Sequence, residues 1–291
     1  MISNTSIGHY GRLGNQIFQY ALLKVVGIKN DYEVILPQDN EINAMVGRYN
    51  PSENKIDTYK LDLYECFKIK DRKISINEIT NNVNIVYNER YMHFDPEVFN
   101  VKDGTNFYGY YQCADYFYDY ENELKIYLSF NDNIEHICNR YIQQIKNTKN
   151  VKTITTLHIR RGDGVADKGK YQVLLSIDYY KELINKLRNN NNIFLVISDD
   201  INWCKQQFNE HDVIFSQVNS MPTSISKHLI DFCLLSKGDS IIMANSSYSW
   251  WAAWLSNSEN IYCPNKWWGT LNSHFDETNL RHKKWRLVDA K

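Results

Sequence analysis

The stretch "TITTLHIRRGDGVADKG", residues 153–169, decides how the chain folds. Its first seven residues are mostly β-branched or apolar and read as a buried strand. Two adjacent arginines, Arg160 and Arg161, stand at the strand end, and a buried guanidinium without an anionic partner is costly. Alternate residues of an extended segment share a face, so His158 and Arg160 point one way while Ile159 and Arg161 point the other. The planar fork of arginine suits bidentate recognition of phosphate. Asp163, just beyond Gly162, is placed to brace either arginine. A purely structural Arg–Asp pair on a surface turn explains the same string, so support has to come from the rest of the chain.

Downstream, strands and helices alternate. The predicted strands "NIFLVIS", "DVIFS", "DSIIMAN" and "NIYCP" are separated by helices at "SIDYYKELINKLRN", from Asp200, at "ISKHLIDFCLLSK" and at "SYSWWAAWLS". That order implies right-handed β-α-β units on a parallel sheet. Ligands of such sheets bind outside the carboxyl ends of the strands, where His158 and Arg160 lie. Upstream the pattern is less regular. A glycine-bearing loop leads into a helix at "NQIFQYALLKVV", followed by strands at "EVILP" and "NFYGYYQ" and helical patterns from Asp115 to about Lys149. Residues 39–60 and 68–84 read as loops. "KNTKN", residues 146–150, is the linker candidate. The fold class is α/β, with lobes 1–150 and 151–291, the C-terminal one the more regular.

Composition narrows the function. A chain of 291 residues suffices for two lobes. A formal net charge of −1 gives no bulk attraction to nucleic acid or anionic membrane, so any basic site is local. Cys66, Cys113, Cys138, Cys204, Cys233 and Cys263 form no C-x-x-C pair and read as reduced, buried thiols. No basic segment followed by an apolar core opens the chain, so no signal peptide is expected. The apolar region at residues 241–255 is interrupted by Asn245 and serines, which argues against a membrane span. The expected location is cytoplasmic, with peripheral membrane contact an open alternative.

Two further stretches suit an anion. "GHYGRLGNQ", residues 8–16, places a flexible loop at a helix start, where backbone N–H groups lack partners. Arg12 adds a cation beside Gly14, and Asn15 is placed to cap the helix or reach a ligand. In "ANSSYSWW", residues 244–251, Ser246 and Ser247 lie where a strand gives way to a helix, suited either to phosphate or to simple capping. "SDD", residues 198–200, reads as a cap followed by an acid. The chain has no Asp-x-Asp to hold a metal–diphosphate, so arginines would neutralise phosphate instead. Tyr108, Tyr110 and Tyr111 offer a possible sugar-stacking surface. Trp267 and Trp268 read as core packing, with sugar stacking the alternative.

Taken in order, "GRLGNQIFQYA", "HIRRGD", "SDD" with the following Trp203, and "NSSYSWWAAWL" resemble the α-1,2-fucosyltransferases of glycosyltransferase family 11. The resemblance runs from Gly8 to about Trp268. "HIRRGD" alone is shared with α-1,6- and protein O-fucosyltransferases. The resemblance implies a GT-B-like architecture, two Rossmann-like lobes facing a cleft. Lobe 151–291 would bind GDP-fucose, and lobe 1–150 would serve the acceptor. It also implies inversion at the fucose carbon, with neither metal nor other cofactor. Carried over by motif, Arg160 is the main diphosphate ligand, with His158 and Arg161 beside the nucleotide. Arg12, Gly14 and Asn15 approach from the other lobe, Asp231 accepts from guanine, and Ser246, Ser247 and Tyr248 form the phosphate-binding turn. The chain departs from the family in its polar start "MISNTSIGHY" and in Arg12, where many bacterial members have glycine.

These expectations describe a single displacement by an acceptor hydroxyl on the fucose carbon, through a cation-like sugar. Arg160 would stabilise the leaving diphosphate, and Asp163 or His9 would serve as base. The expected partners are GDP-fucose and a galactose-containing glycan. Protein O-fucosyl transfer is the neighbouring alternative. A non-catalytic carbohydrate-binding protein is the alternative from another class, and it would bind glycan without responding to GDP.

Overall fold

The structure is a computed structural model. It describes the backbone of residues 1–9, 11–39, 47–50, 55–58 and 61–290, and the side chains of these except 47–50, 55–58 and Asp163. The chain divides into two compact units: Met1–Ser129 with Thr278–Leu280, and Phe130–Glu277 with Arg281–Lys291. The sequence reading placed the boundary near residue 150. The helix Asp132–Lys149 instead packs on the second unit, against the helix Lys227–Ser236 and the first strand of that unit. "KNTKN" is the last turn of this helix and the residue that stops it. Asn150 caps it in the left-handed region at φ 53, a conformation asparagine tolerates.

The first unit contains β1 (Ile2–Ser3), β2 (Val34–Pro37), β3 (Gly47–Asn50), β4 (Lys55–Thr58), β5 (Arg72–Ile74), β6 (Ile85–Asn88) and β7 (Thr105–Tyr108). Five of them form a sheet in the order β5-β2-β1-β7-β6, parallel throughout. β3 and β4 pair as an antiparallel hairpin within the segment read as loop. β5 and the helix Ile76–Asn82 likewise fall inside the second segment read as loop. The polar start of the chain is explained by its partners. β1 is two residues long, and the buried polar groups after it bond one another. Asn106 Oδ1 accepts the Thr5 N–H at 3.0 Å, and Asn106 Nδ2 donates to Thr5 Oγ1 at 2.8 Å.

The second unit contains β8 (Thr153–Ile159), β9 (Asn192–Ser198), β10 (Val213–Phe215), β11 (Ser240–Ile242), β12 (Ile261–Pro264) and β13 (Arg286–Val288). They form one sheet in the order β10-β9-β8-β11-β12-β13, parallel at every pairing. Its core is apolar because both faces are covered. Tyr179, Tyr180, Leu183 and Ile184 of the helix Ile177–Leu187 recur at helical spacing and pack against Leu157, Ile159, Phe194 and Val196. The chain moves outward from β8 to β10 on one side and from β11 to β13 on the other. β8 and β11 therefore flank the topological switch point, where a crevice opens at the carboxyl ends. All six cysteines are buried and none is in a disulfide. Among the described residues no helix is long and apolar enough to cross a membrane.

Candidate functional site

The switch point of the second unit brings the opening motif to the serine turn. β8 ends in Ile159, and beyond β11 the chain turns through Ala244–Asn245–Ser246 into the helix Ser247–Leu255. Ser246 is the N-cap: its backbone is extended and its hydroxyl accepts the Tyr248 N–H at 3.3 Å. Arg160 Nη1 donates to the same oxygen at 3.3 Å. Capping and cation binding thus coincide on one hydroxyl. With both bonds accepted, its own proton has no acceptor among the described residues. His158 shares the Arg160 face, as alternation requires. Its ring lies 5.0 Å from the Tyr248 ring, and its Nδ1 is 2.6 Å from Ser249 Oγ. Asn245, which the sequence reading did not single out, holds the turn from below by donating to the carbonyls of Val173 and Trp267.

Arg161 is engaged differently. Its Nε donates to Asp200 Oδ2 at 3.1 Å, its N–H donates to Asp199 Oδ1 at 2.9 Å, and its guanidinium lies 3.6 Å from the centre of the Trp203 ring. Asp200 Oδ1 also accepts the Trp203 N–H and so caps the helix Ile201–Gln207. "SDD" therefore braces Arg161 and caps the helix. The Asp163 side chain lies outside the described residues. A β-carbon on Gly162 would stand 2.6 Å from Asp199 Oδ2, which accounts for glycine after the arginine pair.

Tyr248 links this cluster to Asp231. Its hydroxyl donates to the His228 carbonyl at 2.6 Å, and its ring lies 5.0 Å from that of Phe232; both residues are on the helix that carries Asp231. The Asp231 carboxylate accepts from Ser216 Oγ at 2.5 Å, just beyond β10. Burial pushes its pKa up to about 6, while Ser216 and nearby His228 pull it down. Ser247 follows Ser246 in the first turn and is partly exposed. Trp267 is fully buried, so its ring is core rather than a sugar platform.

The first unit carries the glycine loop at the carboxyl end of β1, beside β7, at its own switch point. Arg12 is exposed and takes the N-cap position of the helix Leu13–Asn30 with no side-chain cap bond. Gly14 is buried in the first turn. Asn15 does not cap. Its Oδ1 accepts from Gln112 Nε2 at 2.9 Å, a contact not foreseen from the sequence. Gln19 joins the same two loops, accepting the Gly8 N–H and donating to the Gly109 carbonyl. Burial holds the His9 pKa below its ordinary value and so favours the neutral imidazole. Of the three tyrosines read as a sugar surface, Tyr110 is exposed and Tyr111 is buried, so Tyr111 leaves that surface. Glu89, also missed, accepts the N–H groups of Tyr110 and Tyr111 at 2.7 and 2.8 Å, and burial pushes its pKa up to about 7.

Gly11 is the loop's conformational pivot. It has φ +118, and a β-carbon there would collide with the Asn15 amide. Gly11→Ala is expected to cost about 1–3 kcal/mol of strain, read as a lowered denaturation midpoint. An unchanged midpoint would show that the loop does not need this conformation. Among the described residues, no group of three or more His, Cys, Asp or Glu side chains is placed to hold a metal ion.

Fold and site together define an α/β protein with two parallel-sheet lobes and an arginine strand end bonded to a serine-capped helix start. Within that class, the Glycosyl transferase family 11 model matches residues 2–288, and the chain belongs to this family. It is therefore a glycosyltransferase. The chain is 26% identical to the O-antigen biosynthesis glycosyltransferase WbnK of Escherichia coli, over 90% of this chain and 94% of that one. It is 28% identical to an alpha-1,2-colitosyltransferase of Escherichia coli, over 85% and 86%. It is 24% identical to the galactoside alpha-(1,2)-fucosyltransferase 2 of Mus musculus, over 89% and 70%. Among solved structures, its fold is similar to that of fucosyltransferase NodZ from Bradyrhizobium. The TM-score is 0.51 at 11% identity, over 88% of this chain and 92% of that one. That likeness concerns the fold and agrees with the expected GT-B-like pair of parallel α/β lobes.

Proposed function

We propose that the protein transfers L-fucose from GDP-fucose to the 2-hydroxyl of a galactoside acceptor, with inversion and without a metal ion. The observation that carries this reading is Arg160, at the carboxyl end of β8 and bonded to the N-cap serine of the next helix, in a chain of family 11. The name of the mouse relative supports the fucosyl group, the galactoside and the α-1,2 linkage.

The second lobe holds the donor. The Arg160 fork, the Ser246 hydroxyl proton and the N–H groups opening the helix at Ser247 are donors for diphosphate oxygens. His158 and Tyr248 line the same turn, and Asp231 accepts from the base. The first lobe serves the acceptor, with Arg12, Gly14 and Asn15 on its glycine loop. The acceptor oxygen forms a bond to the fucose carbon as the carbon–phosphate oxygen bond breaks, and the electron pair leaves with GDP. Negative charge grows on the diphosphate, so Arg160 stabilises the transition state more than the ground state. The acceptor proton passes to a base. Asp163 and His9 are the candidates, and the neutral His9 retains a lone pair.

The test supplies GDP-fucose and a panel of galactosides, with linkage analysis of the product, in the presence and absence of excess EDTA. The expected product is fucose on O2, formed at a rate EDTA leaves unchanged. Transfer of nucleotide-activated colitose but not fucose would overturn the donor assignment, as one relative's name prompts. Activity lost to EDTA and restored by magnesium or manganese would overturn the metal-free mechanism.

A further inference from the structure

Beyond β6 the backbone of the first unit keeps its pairing with β7 for one more step, the Glu89 N–H donating to the Tyr108 carbonyl at 2.8 Å. The Glu89 side chain then closes a turn over residues 109–112, at the carboxyl ends of β6 and β7, the edge where parallel sheets bind ligands. The turn is strained. Gly109 has φ +154, and a β-carbon there would collide with the Glu89 side chain. Tyr111 is an aromatic residue in the left-handed region at φ +56. Its buried side chain is pinned by a hydroxyl that donates to the Tyr108 carbonyl at 2.9 Å. Such strain persists only where the surroundings impose it, and it gathers at ligand sites. Gln112 ties the turn to the glycine loop through Asn15, and Gln19 bridges Gly8 and Gly109.

Two side chains of this turn have acceptor positions left over. Each Glu89 carboxylate oxygen accepts one backbone N–H, from Tyr110 and from Tyr111, and keeps a second lone pair. Among the described residues no cation is bonded to it, and the adjacent Arg90 is bonded to Asp95. Burial pushes the Glu89 pKa up to about 7 against the pull of its two backbone bonds. Gln112 is 6% exposed. Its Nε2 donates to Asn15, while its Oε1 is buried with no hydrogen-bond partner among the described residues. A buried carbonyl without a donor is costly. These positions are all acceptors, so they repel phosphate and suit hydroxyl protons. Tyr110, on the same turn, is exposed, and its ring offers an apolar face to a pyranose.

We propose that Glu89 and Gln112 form the subsite that recognises the acceptor galactoside. The carboxylate accepts a pair of sugar hydroxyls, and the Gln112 carbonyl accepts another, directly or through one water. The inference rests on reading the first lobe as the acceptor side. A site built to bond hydroxyls rejects analogues that lack them, because its own polar groups are then left unpaired. Glu89 and Gln112 thereby set which sugar is accepted and leave the donor site of the second lobe untouched.

The test compares methyl β-galactoside with its 3-, 4- and 6-deoxy analogues, the 2-hydroxyl being the one that reacts. In the parent, at least one analogue should raise the acceptor KM roughly tenfold to a hundredfold, as when a hydrogen bond to a charged group is lost. Glu89→Gln should raise the KM of methyl β-galactoside about tenfold, with the KM of GDP-fucose and the GDP-induced melting shift at parental values. The analogue penalised most in the parent should cost little more in the variant, because the bond it lacks is already gone. Labelling the full chain with ¹⁵N-tyrosine needs no Glu89 variant and serves if that one does not fold. Methyl β-galactoside should move the Tyr110 amide signal of the parent, which is assigned by its loss in Tyr110→Phe. A folded Glu89→Gln protein with parental acceptor KM overturns the proposal. So do analogue penalties that are the same in parent and variant, or a Tyr110 signal that saturating galactoside leaves in place. Failure of the parent to transfer fucose to any galactoside would strike the functional reading, while the tyrosine spectrum would still decide whether sugar binds at this turn.

Discussion

Arg160→Ala is expected to lower turnover by roughly two to three orders of magnitude, the usual consequence of removing a donor aimed at transition-state charge. The fold should survive the change. Ser246 keeps its capping bond from the Tyr248 N–H, Asn245 still anchors the turn, and Arg160 is only partly buried. The lost charge-assisted bonds are worth about 1.5–3 kcal/mol toward the diphosphate, so GDP affinity should fall as well. Arg160→Lys should recover little, because an ammonium is a point charge and cannot reproduce the fork. The neighbouring arginine supplies the control. Arg161 bonds to Asp200 and lies on the Trp203 face, so Arg161→Ala should lower the denaturation midpoint. Steady-state kinetics and melting of the two variants side by side make the comparison. Near-normal turnover in Arg160→Ala would remove it from the chemistry, whatever Arg161 does.

The contrast between the two arginines marks where sequence reading stops. Strand alternation separated their faces, because side-chain direction has period two and depends on nothing distant. It could not say how each side chain is engaged, since the partners of Arg161 lie 38 and 39 positions along the chain. The second lobe was legible because its strands are buried on both faces and its helices are amphipathic, which leaves strong local signals. The missed elements carry weak ones. β1 is two residues long and is followed by Thr5, which bonds Asn106 about a hundred positions away. β13 is a largely exposed edge strand, and β5 is short with one buried residue. Tyr111 looked like its exposed neighbours, yet it is buried with φ +56. Gln112 and Glu89 act through long-range bonds to Asn15 and to a backbone turn, which no spacing encodes. Ser249 was hidden among tryptophans that read as packing.

Asp231 gives the sharpest prediction about the base. Its carboxylate can accept from both the ring N–H and the exocyclic amine of guanine, a pairing that adenine and uracil cannot match. Saturating GDP, at about 100 times its dissociation constant, should stabilise the fold by roughly 2.7 kcal/mol, with a melting shift of about 2–4 °C for each kcal/mol in chains of about 150–250 residues and somewhat less here. ADP and UDP should give little. The pH dependence follows from burial. Because the Asp231 pKa is raised to about 6, the carboxylate is ionised at pH 7.5 and ready to accept. As pH falls through 6 it protonates, and GDP affinity should drop about tenfold per unit below that point. The unliganded protein should behave oppositely. A folded-state pKa above the ordinary 3.8 means that the stabilising protonated form is complete below pH 4 and is lost as pH rises through 6. Asp231→Asn, which cannot ionise, should flatten both curves and weaken GDP while keeping the diphosphate affinity of Arg160. Titration of GDP, ADP and UDP against parent and variant between pH 5 and 8 separates these effects. Equal shifts from GDP and ADP, or an Asp231→Asn protein with parental GDP affinity and the same pH limb, would assign Asp231 to the Ser216 bond and to no role in base recognition.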